Sequence, residues 1–311
     1  MIRIFSSAEN NKLKEIDKIE PGAWIHLLEP TEEEIVSVRD ELGVEDEFIR
    51  AALDEEETVR IDAENDQQLV LVDIPIVRPE RTSFLYSTLP LGIVITKENI
   101  ITVCLEETSI IEDFWNGIVR GFDTQKRYRF LLQLLYKNAS KYLQYLRQID
   151  KAQTQVENAL HKSMRNRELI QMLKIEKSLV FFSTSLKANE VVLEKMLKFN
   201  VIKKYPDDME LLEDVIIENK QAIEMGNIYR DILSGTMDAF ASVISNNLNI
   251  VMKLLASITI VLSVPTLIAS LWGMNVPVPF TDHPHGFLIV ILISVGISIV
   301  AFFILWRKRM F

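Results

Sequence analysis

One helical face in the C-terminal part of the chain carries polar or small side chains at a spacing that could line a path for ions. Its steps alternate between four and three residues, a mean of 3.5, which keeps one side of each helix turned towards the axis of a left-handed bundle. An ordinary coiled coil would place apolar residues there. This polar stripe predicts a water-lined axial path, and contacts between packed helices are the alternative interpretation. Its members are Asp238, Ser242, Ser245, Asn249, Met252, Ala256, Thr259, Ser263, Thr266 and Ser270.

The polar stripe continues into the first of two uncharged segments. Residues 254–271 contain no charged side chain, and neither do residues 287–306. Each run is close to the roughly 20 residues with which a helix crosses a bilayer. Trp272 follows the first run and Trp306 ends the second, and tryptophan favours the membrane interface. The pattern predicts two transmembrane helices, against the alternative of two buried core helices.

The basic residues beside these segments predict the orientation. Lys253 precedes the first segment, three bases at 307–309 follow the second, and the connection 273–286 contains neither Lys nor Arg. The positive-inside rule therefore places residues 1–253 and the C-terminus in the cytoplasm. We expect a multi-pass protein of the cell inner or plasma membrane, with both termini cytoplasmic.

Composition excludes several classes of function. The formal net charge of −10 over 311 residues argues against a nucleic-acid partner, which requires a basic surface, and suits a protein that handles cations. No phosphate-binding glycine loop and no nucleophile with a suitably spaced base is present, so an enzyme is not predicted. Sixteen acids and three bases lie between residues 29 and 66, which is typical of a solvated face or of an acidic field that attracts cations. Cys104 lies in an apolar run and is expected to be a buried structural thiol.

The N-terminal part is predicted to be a mixed α and β domain. Candidate strands rich in β-branched residues lie at 24–28, 68–77, 89–96 and 100–105. Thr31 with Glu34 forms a capping-box pattern, so a helix should run from there to Leu42 and end at Gly43.

Long helices follow the mixed domain. Residues 128–160 and 167–199 have helical periodicity without Pro or Gly and should form an antiparallel hairpin. Pro206 interrupts the chain, and one helix could then run from Asp208 to Trp272, a length of about 100 Å.

The fold class is an α+β cytoplasmic domain with a long-helix stalk and two C-terminal transmembrane helices. The segments are an α/β domain at 1–122, a helical hairpin at 123–205, the cytoplasmic part of the stalk helix at 206–253, a first transmembrane helix lining the path at 254–272, an external loop at 273–286, a second transmembrane helix at 287–306 and a basic tail at 307–311.

A short motif stands at the outer end of the first transmembrane segment. Gly273, Met274 and Asn275 directly follow Trp272, after a long helix and before a short loop and a basic tail. In this position the motif resembles the Gly-Met-Asn signature of the CorA family of magnesium and divalent-cation transporters. The resemblance extends to residues 230–235 with Asp238, to residues 249–255, and more loosely to the whole chain.

The resemblance implies a funnel-shaped homopentamer in the lipid membrane whose first transmembrane helices line the pore. Asn275 would form a ring of neutral carbonyl oxygens that captures hydrated Mg²⁺, Gly273 would permit a tight turn, and Met274 would pack against neighbouring helices. Potential-driven influx of Mg²⁺, with Co²⁺ and Ni²⁺ as further ions, is the implied function, and no organic cofactor is expected. The implied pore-lining residues are Asp238, Ser245, Asn249, Met252, Leu255, Thr259, Ser263, Thr266 and Ser270, of which Met252 and Leu255 would form an apolar constriction.

The family resemblance also implies regulation by intracellular Mg²⁺ bound between subunits. Asp214 falls where the family has an acidic ligand on the long helix, although a solvated helix face explains it equally well. The stretch 81–88, where a partner acid is expected, contains none.

Two alternatives stay open. His283 and His285 in the external loop are compatible with a transition metal, and a Zn²⁺ transporter of the ZntB-like branch, with or without proton coupling, is the main rival. A membrane-anchored sensor is the other alternative, but an external loop of about 14 residues is short for a sensing domain.

Overall fold

The computed structural model shows two compact units, Met1–Ser234 and Gly235–Phe311. The first contains a seven-stranded sheet with helices on both faces, and the second contains two long apolar helix segments. The structure describes residues 1–7, 13–79, 84–163, 166–198, 206–279, 284–308 and 310.

The sheet of the first unit is mixed. Its strand order is β2-β1-β3-β7-β6-β5-β4, and β3 and β7 are its parallel pair while the other neighbours are antiparallel. The four predicted strands are confirmed as β3, β5, β6 and β7, although β6 begins five residues before its predicted start. The sequence does not predict β1, β2 and β4, because these strands are short or polar. The strands are β1 (Ile2–Ser7), β2 (Leu13–Glu15), β3 (Trp24–Leu28), β4 (Arg60–Glu64), β5 (Gln67–Pro79), β6 (Phe84–Ile95) and β7 (Ile100–Cys104).

Seven α-helices accompany the sheet in the described part of the chain. Both long hairpin helices predicted from periodicity are present, as α4 and α5, and the long C-terminal helix is α6. The helices are α1 (Glu32–Leu42), α2 (Asp46–Arg50), α3 (Ser109–Trp115), α4 (Arg127–Ser163), α5 (Asn166–Lys198), α6 (Pro206–Trp272) and α7 (Gly286–Arg307).

Alternating residues of the central strands belong to two hydrophobic cores, one on each face of the sheet. Leu69 and Leu71 of β5 pack on one face of the sheet with residues of α1 and α2, such as Ile35 and Phe48. Val70, between the two leucines, belongs to the core on the opposite face, which α3 to α6 cover. Strand side chains point alternately to the two faces, so helices on both sides bury every residue of β7.

Local signals delimit α1 as the sequence predicts. The Thr31 hydroxyl accepts a hydrogen bond from the Glu34 backbone N–H at 3.3 Å, and the Glu34 carboxylate accepts one from the Thr31 N–H at 2.9 Å. Gly43 ends the helix with φ of 62°, a left-handed conformation that costs glycine little. The predicted capping box and helix end are both confirmed.

The α4–α5 hairpin is hydrogen-bonded to the part of β5 that has no pairing with β4. Strand β4 pairs with β5 only as far as Leu71, so the backbone of Asp73 lies beyond that pairing. The Asn189 amide accepts from the Asp73 N–H at 2.9 Å and donates to its carbonyl at 2.8 Å, and Asn138 also donates to that carbonyl at 2.8 Å. Asn138 lies near the start of α4 and Asn189 near the end of α5, which confirms the antiparallel arrangement.

An aromatic cluster fills the centre of the larger core. The fully buried Trp24 has ring centroids of Phe5 at 4.9 Å and Phe130 at 5.0 Å, and Phe122 lies 4.5 Å from Phe130. The Trp24 indole N–H donates to the Thr102 hydroxyl at 2.8 Å, so its one polar atom is satisfied. This cluster joins β1, β3 and the first turns of α4 in one packed centre.

His26 and Cys104 are buried beside this cluster. His26 Nδ1 lies 2.8 Å from the Thr102 hydroxyl, while its Nε2 lies 4.0 Å from the Cys104 sulfur. Burial, with Arg3 as a secondary cause, lowers the pKa of His26 to about 4, and burial raises the pKa of the Cys104 thiol to about 12. Both groups are therefore neutral near pH 7, and the expectation of a buried thiol is confirmed.

Helix α6 is continuous over 67 residues to Trp272, as the absence of proline before Pro265 predicts, and it starts two residues before the predicted Asp208. It begins at Pro206, where a missing N–H costs nothing, and Asp207 and Asp208 lie in its first turn. Pro265 lies inside the helix, so the carbonyl of Val261 lacks its usual donor four residues on. Parts of this helix belong to each of the two compact units.

The second unit leaves most of its apolar side chains uncovered. The apolar end of α6 and the whole of α7 are long and apolar enough to cross a membrane. Leu262 and Leu292 are each more than 60% exposed, whereas Ser257, Ser294 and Leu305 are buried. Such an exposed apolar surface is unfavourable in water and suited to lipid or to other helices.

Candidate functional site

The polar stripe lies on a part of α6 that no other described part of its unit covers. Every one of its members, from Asp238 to Ser270, is exposed. The 32 residues between them span about 48 Å at 1.5 Å per residue. A 3.5-residue spacing drifts by about 20° per heptad on a straight helix, so the stripe winds slowly around α6. This surface is available to water or to other copies of the helix.

Three hydroxyl groups of the stripe donate their hydrogens to carbonyls within α6. Thr259 donates to the Leu255 carbonyl at 2.8 Å, Ser263 to the Thr259 carbonyl at 2.7 Å, and Thr266 to the Leu262 carbonyl at 3.0 Å. A hydroxyl that donates to the backbone keeps its oxygen lone pairs free to accept. These oxygens therefore suit ligands that present hydrogens, such as the waters around a cation.

Two larger apolar side chains interrupt the stripe on the N-terminal side of these hydroxyls. Met252 and Leu255 are 57% and 55% exposed. The exposed polar residues Ser245 and Asn249 precede them on the same helix. A bundle of such helices would have a polar section, an apolar section and a hydroxyl section in sequence along its axis.

The Gly-Met-Asn motif begins where α6 ends. The Gly273 N–H donates to the Ala269 carbonyl at 2.9 Å, which extends the helical hydrogen bonding by one residue. A β-carbon on Gly273 would lie 3.2 Å from that carbonyl oxygen, tighter than most real contacts. Gly273 is not among the described glycines with positive φ, so its backbone is not in the left-handed region. Met274 and Asn275 follow with exposed side chains.

Trp272 ties the segment after the motif to the end of the helix. Its indole N–H donates to the Pro279 carbonyl at 3.1 Å, and its ring centroid lies 6.4 Å from that of Phe287 in α7. The chain from Gly273 to Pro279 is thus held at both ends, with Asn275 between them. The sequence identifies Trp272 only as a residue of the membrane interface, and the signal for this second role is an indole that precedes a proline-containing loop.

A second contact missed from sequence lies at the opposite end of the two-helix unit. The buried Ser257 hydroxyl lies 2.8 Å from the Lys253 carbonyl and 3.2 Å from the carbonyl of Met310, near the C-terminus. The Met310 N–H donates to the Leu305 carbonyl at 3.1 Å, so the chain turns back after α7. The Met310 carbonyl therefore lies beside α6, two residues along the helix from Leu255.

Asp214 has an exposed side chain on α6. Its neighbours Leu212 and Val215 are buried in the core of the first unit, and Asp208 is buried with its Oδ1 3.4 Å from Arg129 Nη1. In the part of the chain that the structure describes, no three His, Cys, Asp or Glu side chains are grouped as metal ligands. His283 of the external loop lies outside the described residues, and His285 caps the start of α7.

The acidic stretch between residues 29 and 66 forms local ion pairs. Arg50 lies 2.7 Å from Glu32, Arg60 lies 2.7 Å from Glu57, and Arg39 lies 2.8 Å from Asp40. These are the three bases of the stretch, so most of its sixteen acids keep their charge uncompensated within it. Exposed pairs of this kind contribute little stability.

Comparisons with known proteins agree with this geometry. The family model described as "CorA-like Mg2+ transporter protein" matches residues 21–309. A curated relative, the cobalt/magnesium transport protein CorA of Methanocaldococcus jannaschii, is 26% identical over 295 residues, covering 92% of this chain and 90% of the relative. The complete structure of the CorA magnesium transporter from that organism superposes with a TM-score of 0.85 at 24% identity, over 98% of this chain and 96% of the other. The ZntB cytoplasmic domain from Vibrio parahaemolyticus superposes with a TM-score of 0.54 at 11% identity, over 76% of this chain and 98% of the other.

Proposed function

The chain belongs to the family of CorA-like Mg²⁺ transporter proteins, and we propose that it carries divalent metal cations, chiefly Mg²⁺, across a membrane as one subunit of a homopentameric channel. The observation that carries this proposal is the exposed polar stripe, which continues from Asp238 into the uncharged part of α6 and reaches Ser270, five residues before Asn275. Polar side chains that face lipid hydrocarbon raise the free energy of the protein, whereas the same side chains can line a water-filled path. The first membrane helices of five copies would enclose it, with α7 outside them.

The membrane potential can drive such transport without an enzymatic step. A divalent cation gains about 4.6 kcal/mol for every 100 mV of inside-negative potential, twice the value for a single charge. The basic residues beside the two membrane helices support cytoplasmic termini in a cell inner or plasma membrane. Under that orientation the Gly-Met-Asn motif faces outward and influx is the favoured direction.

Asn275 is proposed as the filter residue at the outer mouth. Mg²⁺ gives up its inner waters reluctantly, so a pore can select it more easily with its hydration shell in place. The waters of that shell point their hydrogens outward, and amide carbonyl oxygens from several subunits could accept them. The Trp272 hydrogen bond to Pro279 supports this role because it restricts the loop that carries Asn275.

The hydrated ion would meet two kinds of surface inside the path, hydrogen-bond acceptors and an apolar constriction. Thr259, Ser263 and Thr266 offer hydroxyl oxygens as acceptors because their hydrogens are already used by α6. Met252 and Leu255 would form the apolar constriction, where a narrow path loses its water and closes. Asp238, Ser245 and Asn249 would extend the polar path beyond the constriction, and Ser270 would extend it towards Asn275.

Regulation by intracellular Mg²⁺ at Asp214 forms the second part of the proposal. The side chain is exposed and would need oxygen ligands from a neighbouring subunit, directly or through water. Mg²⁺ held there when its cytoplasmic concentration is high would favour the closed arrangement of the subunits. The stretch 81–88 supplies no acid for this purpose, so a carboxylate ligand from the partner would have to come from another segment.

Flux measurement on the full chain in liposomes tests the function. A potassium gradient with valinomycin would set an inside-negative potential, and a trapped dye would report Mg²⁺. We expect Mg²⁺ uptake that grows with the potential and needs no ATP. Uptake of Zn²⁺ that depends on a pH gradient, with no Mg²⁺ flux in the same vesicles, would instead establish the ZntB-like alternative. A mass measurement in detergent tests the pentamer independently.

A further inference from the structure

An apolar groove on α7 ends at a basic side chain. The groove has a volume of about 630 Å³ and lies at the C-terminal end of the helix. Its apolar side chains are half exposed or more, so nothing in the described part of the second unit fills it. Its lining residues are Ile299, Val300, Phe303, Ile304, Trp306 and Arg307.

The basic residues at this end of the unit lack counter-charges. Arg307 and Lys308 close α7, and Lys253 lies on α6 beside Ser257, whose hydroxyl meets the C-terminal turn. Within the described residues none of these three bases forms an ion pair. Between residues 253 and 311 the sequence contains one acidic side chain, Asp282, in the segment that connects α6 to α7. The guanidinium of Arg307 therefore lies between an apolar groove and an uncompensated positive region.

We propose that this groove binds an anionic phospholipid of the adjacent leaflet, with an acyl chain along the apolar lining and the phosphate on Arg307. The planar guanidinium can donate two parallel hydrogen bonds to a phosphate, and Trp306 belongs at the level of the headgroups. A basic site next to an apolar helix surface is the arrangement that recognises acidic headgroups.

The charges favour this occupant over two others. A zwitterionic choline lipid would bring its own cation towards Lys253, Arg307 and Lys308, which is unfavourable. A neighbouring copy of the chain carries the same bases, and residues 283–311 contain no acidic side chain, so it offers Arg307 a poorer counter-charge than a phosphate does. An anionic headgroup supplies a negative charge that can pair with Arg307 and brings no cation towards Lys253 and Lys308.

Lipid retention by the purified full chain tests the proposal. Phosphatidylglycerol or phosphatidylcholine would be added in detergent at about 150 mM salt, where diffuse surface attraction is largely screened, and bound lipid would be counted by native mass spectrometry. We expect selective retention of phosphatidylglycerol. Arg307→Gln should weaken it about tenfold, the value of a charge-assisted hydrogen-bonded pair. The matched control Lys308→Gln removes the same charge outside the groove and should change retention about twofold or less.

A second variant separates the groove from the charge. Val300→Trp should fill the apolar lining and reduce phosphatidylglycerol retention while Arg307 stays in place, so the test stands even if Arg307→Gln assembles poorly. Equal losses in Arg307→Gln and Lys308→Gln would reduce the effect to diffuse attraction and overturn the proposal. Equal retention of phosphatidylcholine would overturn it too. Displacement of the lipid by millimolar inorganic phosphate would show a phosphate site rather than a lipid site, again contradicting it.

Discussion

The two compact units of this protein use apolar residues in opposite ways. In Met1–Ser234 they point inward from both faces of the sheet, and large side chains such as Trp24 and Phe130 are fully buried. In Gly235–Phe311 most apolar side chains point outward. Burial of apolar surface is the main favourable term in folding, so the first unit obtains it within one chain. The second unit leaves this surface exposed, and in the proposed channel lipid and other copies of the chain would cover it.

Polar residues show the same contrast. Asn189 in the first unit is buried, and its amide makes two hydrogen bonds to the backbone of Asp73. Asn275 in the second unit is exposed at the end of the polar stripe. Asn189 therefore stabilises the fold, while Asn275 is the residue that we propose meets the hydrated cation. Substitutions in the two units should separate stability from transport.

The largest effect is expected at Asn275. Asn275→Ala removes the proposed ring of amide acceptors, so Mg²⁺ uptake into liposomes should fall to the level of protein-free vesicles. Oligomer mass and unfolding temperature should stay unchanged because the side chain is exposed. The neighbouring Val276→Ala is the matched control and should retain uptake. Normal flux through correctly assembled Asn275→Ala would remove the proposed filter.

Phe130→Ala should give the largest loss of stability. The ring contacts Trp24 and Phe122 in a closed core, so its removal should cost about 3–5 kcal/mol of unfolding free energy. Denaturant unfolding monitored by tryptophan fluorescence measures this. Ile291→Ala on the exposed face of α7 is the control, and a loss as large as that of Phe130→Ala would contradict the contrast between the units.

His26 should make the stability of the first unit depend on pH. Its pKa is lowered to about 4 in the folded protein, against 6.5 for an exposed histidine. The unfolded chain therefore binds the extra proton between these values, and about 3 kcal/mol of stability present above pH 6.5 is lost as the pH falls towards 4. His26→Gln should flatten this part of the profile between pH 7 and 5. An unchanged slope in the variant would assign the dependence to other groups.

Asn189→Ala should have a smaller structural effect. It leaves the N–H of Asp73 without its partner, which should cost about 1–3 kcal/mol of unfolding free energy. Uptake per folded oligomer should persist, in contrast to Asn275→Ala. Thermal unfolding and flux on the same preparation give both values, and loss of flux without loss of stability would invert the assigned roles.

The smallest change is expected at Asp214. Asp214→Ala should raise the internal Mg²⁺ concentration needed for half-inhibition by a few-fold, because a carboxylate ligand shared between subunits would be lost. Maximal uptake at low internal Mg²⁺ should remain. Glu213→Ala, another exposed acid one residue earlier, is the control. An inhibition curve identical to that of the unmodified chain would return Asp214 to a solvated helix face.

Local sequence rules predicted the elements with strong and contiguous signals. The capping box of Thr31 and Glu34 and the end of α1 at Gly43 depend on residues a few positions apart. The length of α6 follows from unbroken helical periodicity, and the two apolar segments follow from composition. Strands β1, β2 and β4 have weak local signals and form because neighbouring strands offer them backbone partners.

The candidate site divides in a similar way. The polar stripe and the Gly-Met-Asn motif are visible in the sequence because both lie along a single helix and its end. The Trp272 bond to Pro279 and the Ser257 contact with Met310 depended on how the chain turns between or after the helices. The conformation of a turn depends on which residues pack against it and on whether its polar groups bond to protein or to water. Residue types alone do not specify either.

The sequence by itself determined the order of the parts: a mixed domain, a long helix, an uncharged segment with a polar stripe, a short motif and a second uncharged segment. Helical periodicity and the absence of charge are properties of contiguous residues, so they can be read without coordinates. Only the tertiary structure decided that Asn189 completes the edge of β5, that His26 is buried and neutral, and that Arg307 borders an apolar groove. Such facts depend on which distant residues exclude water from one another.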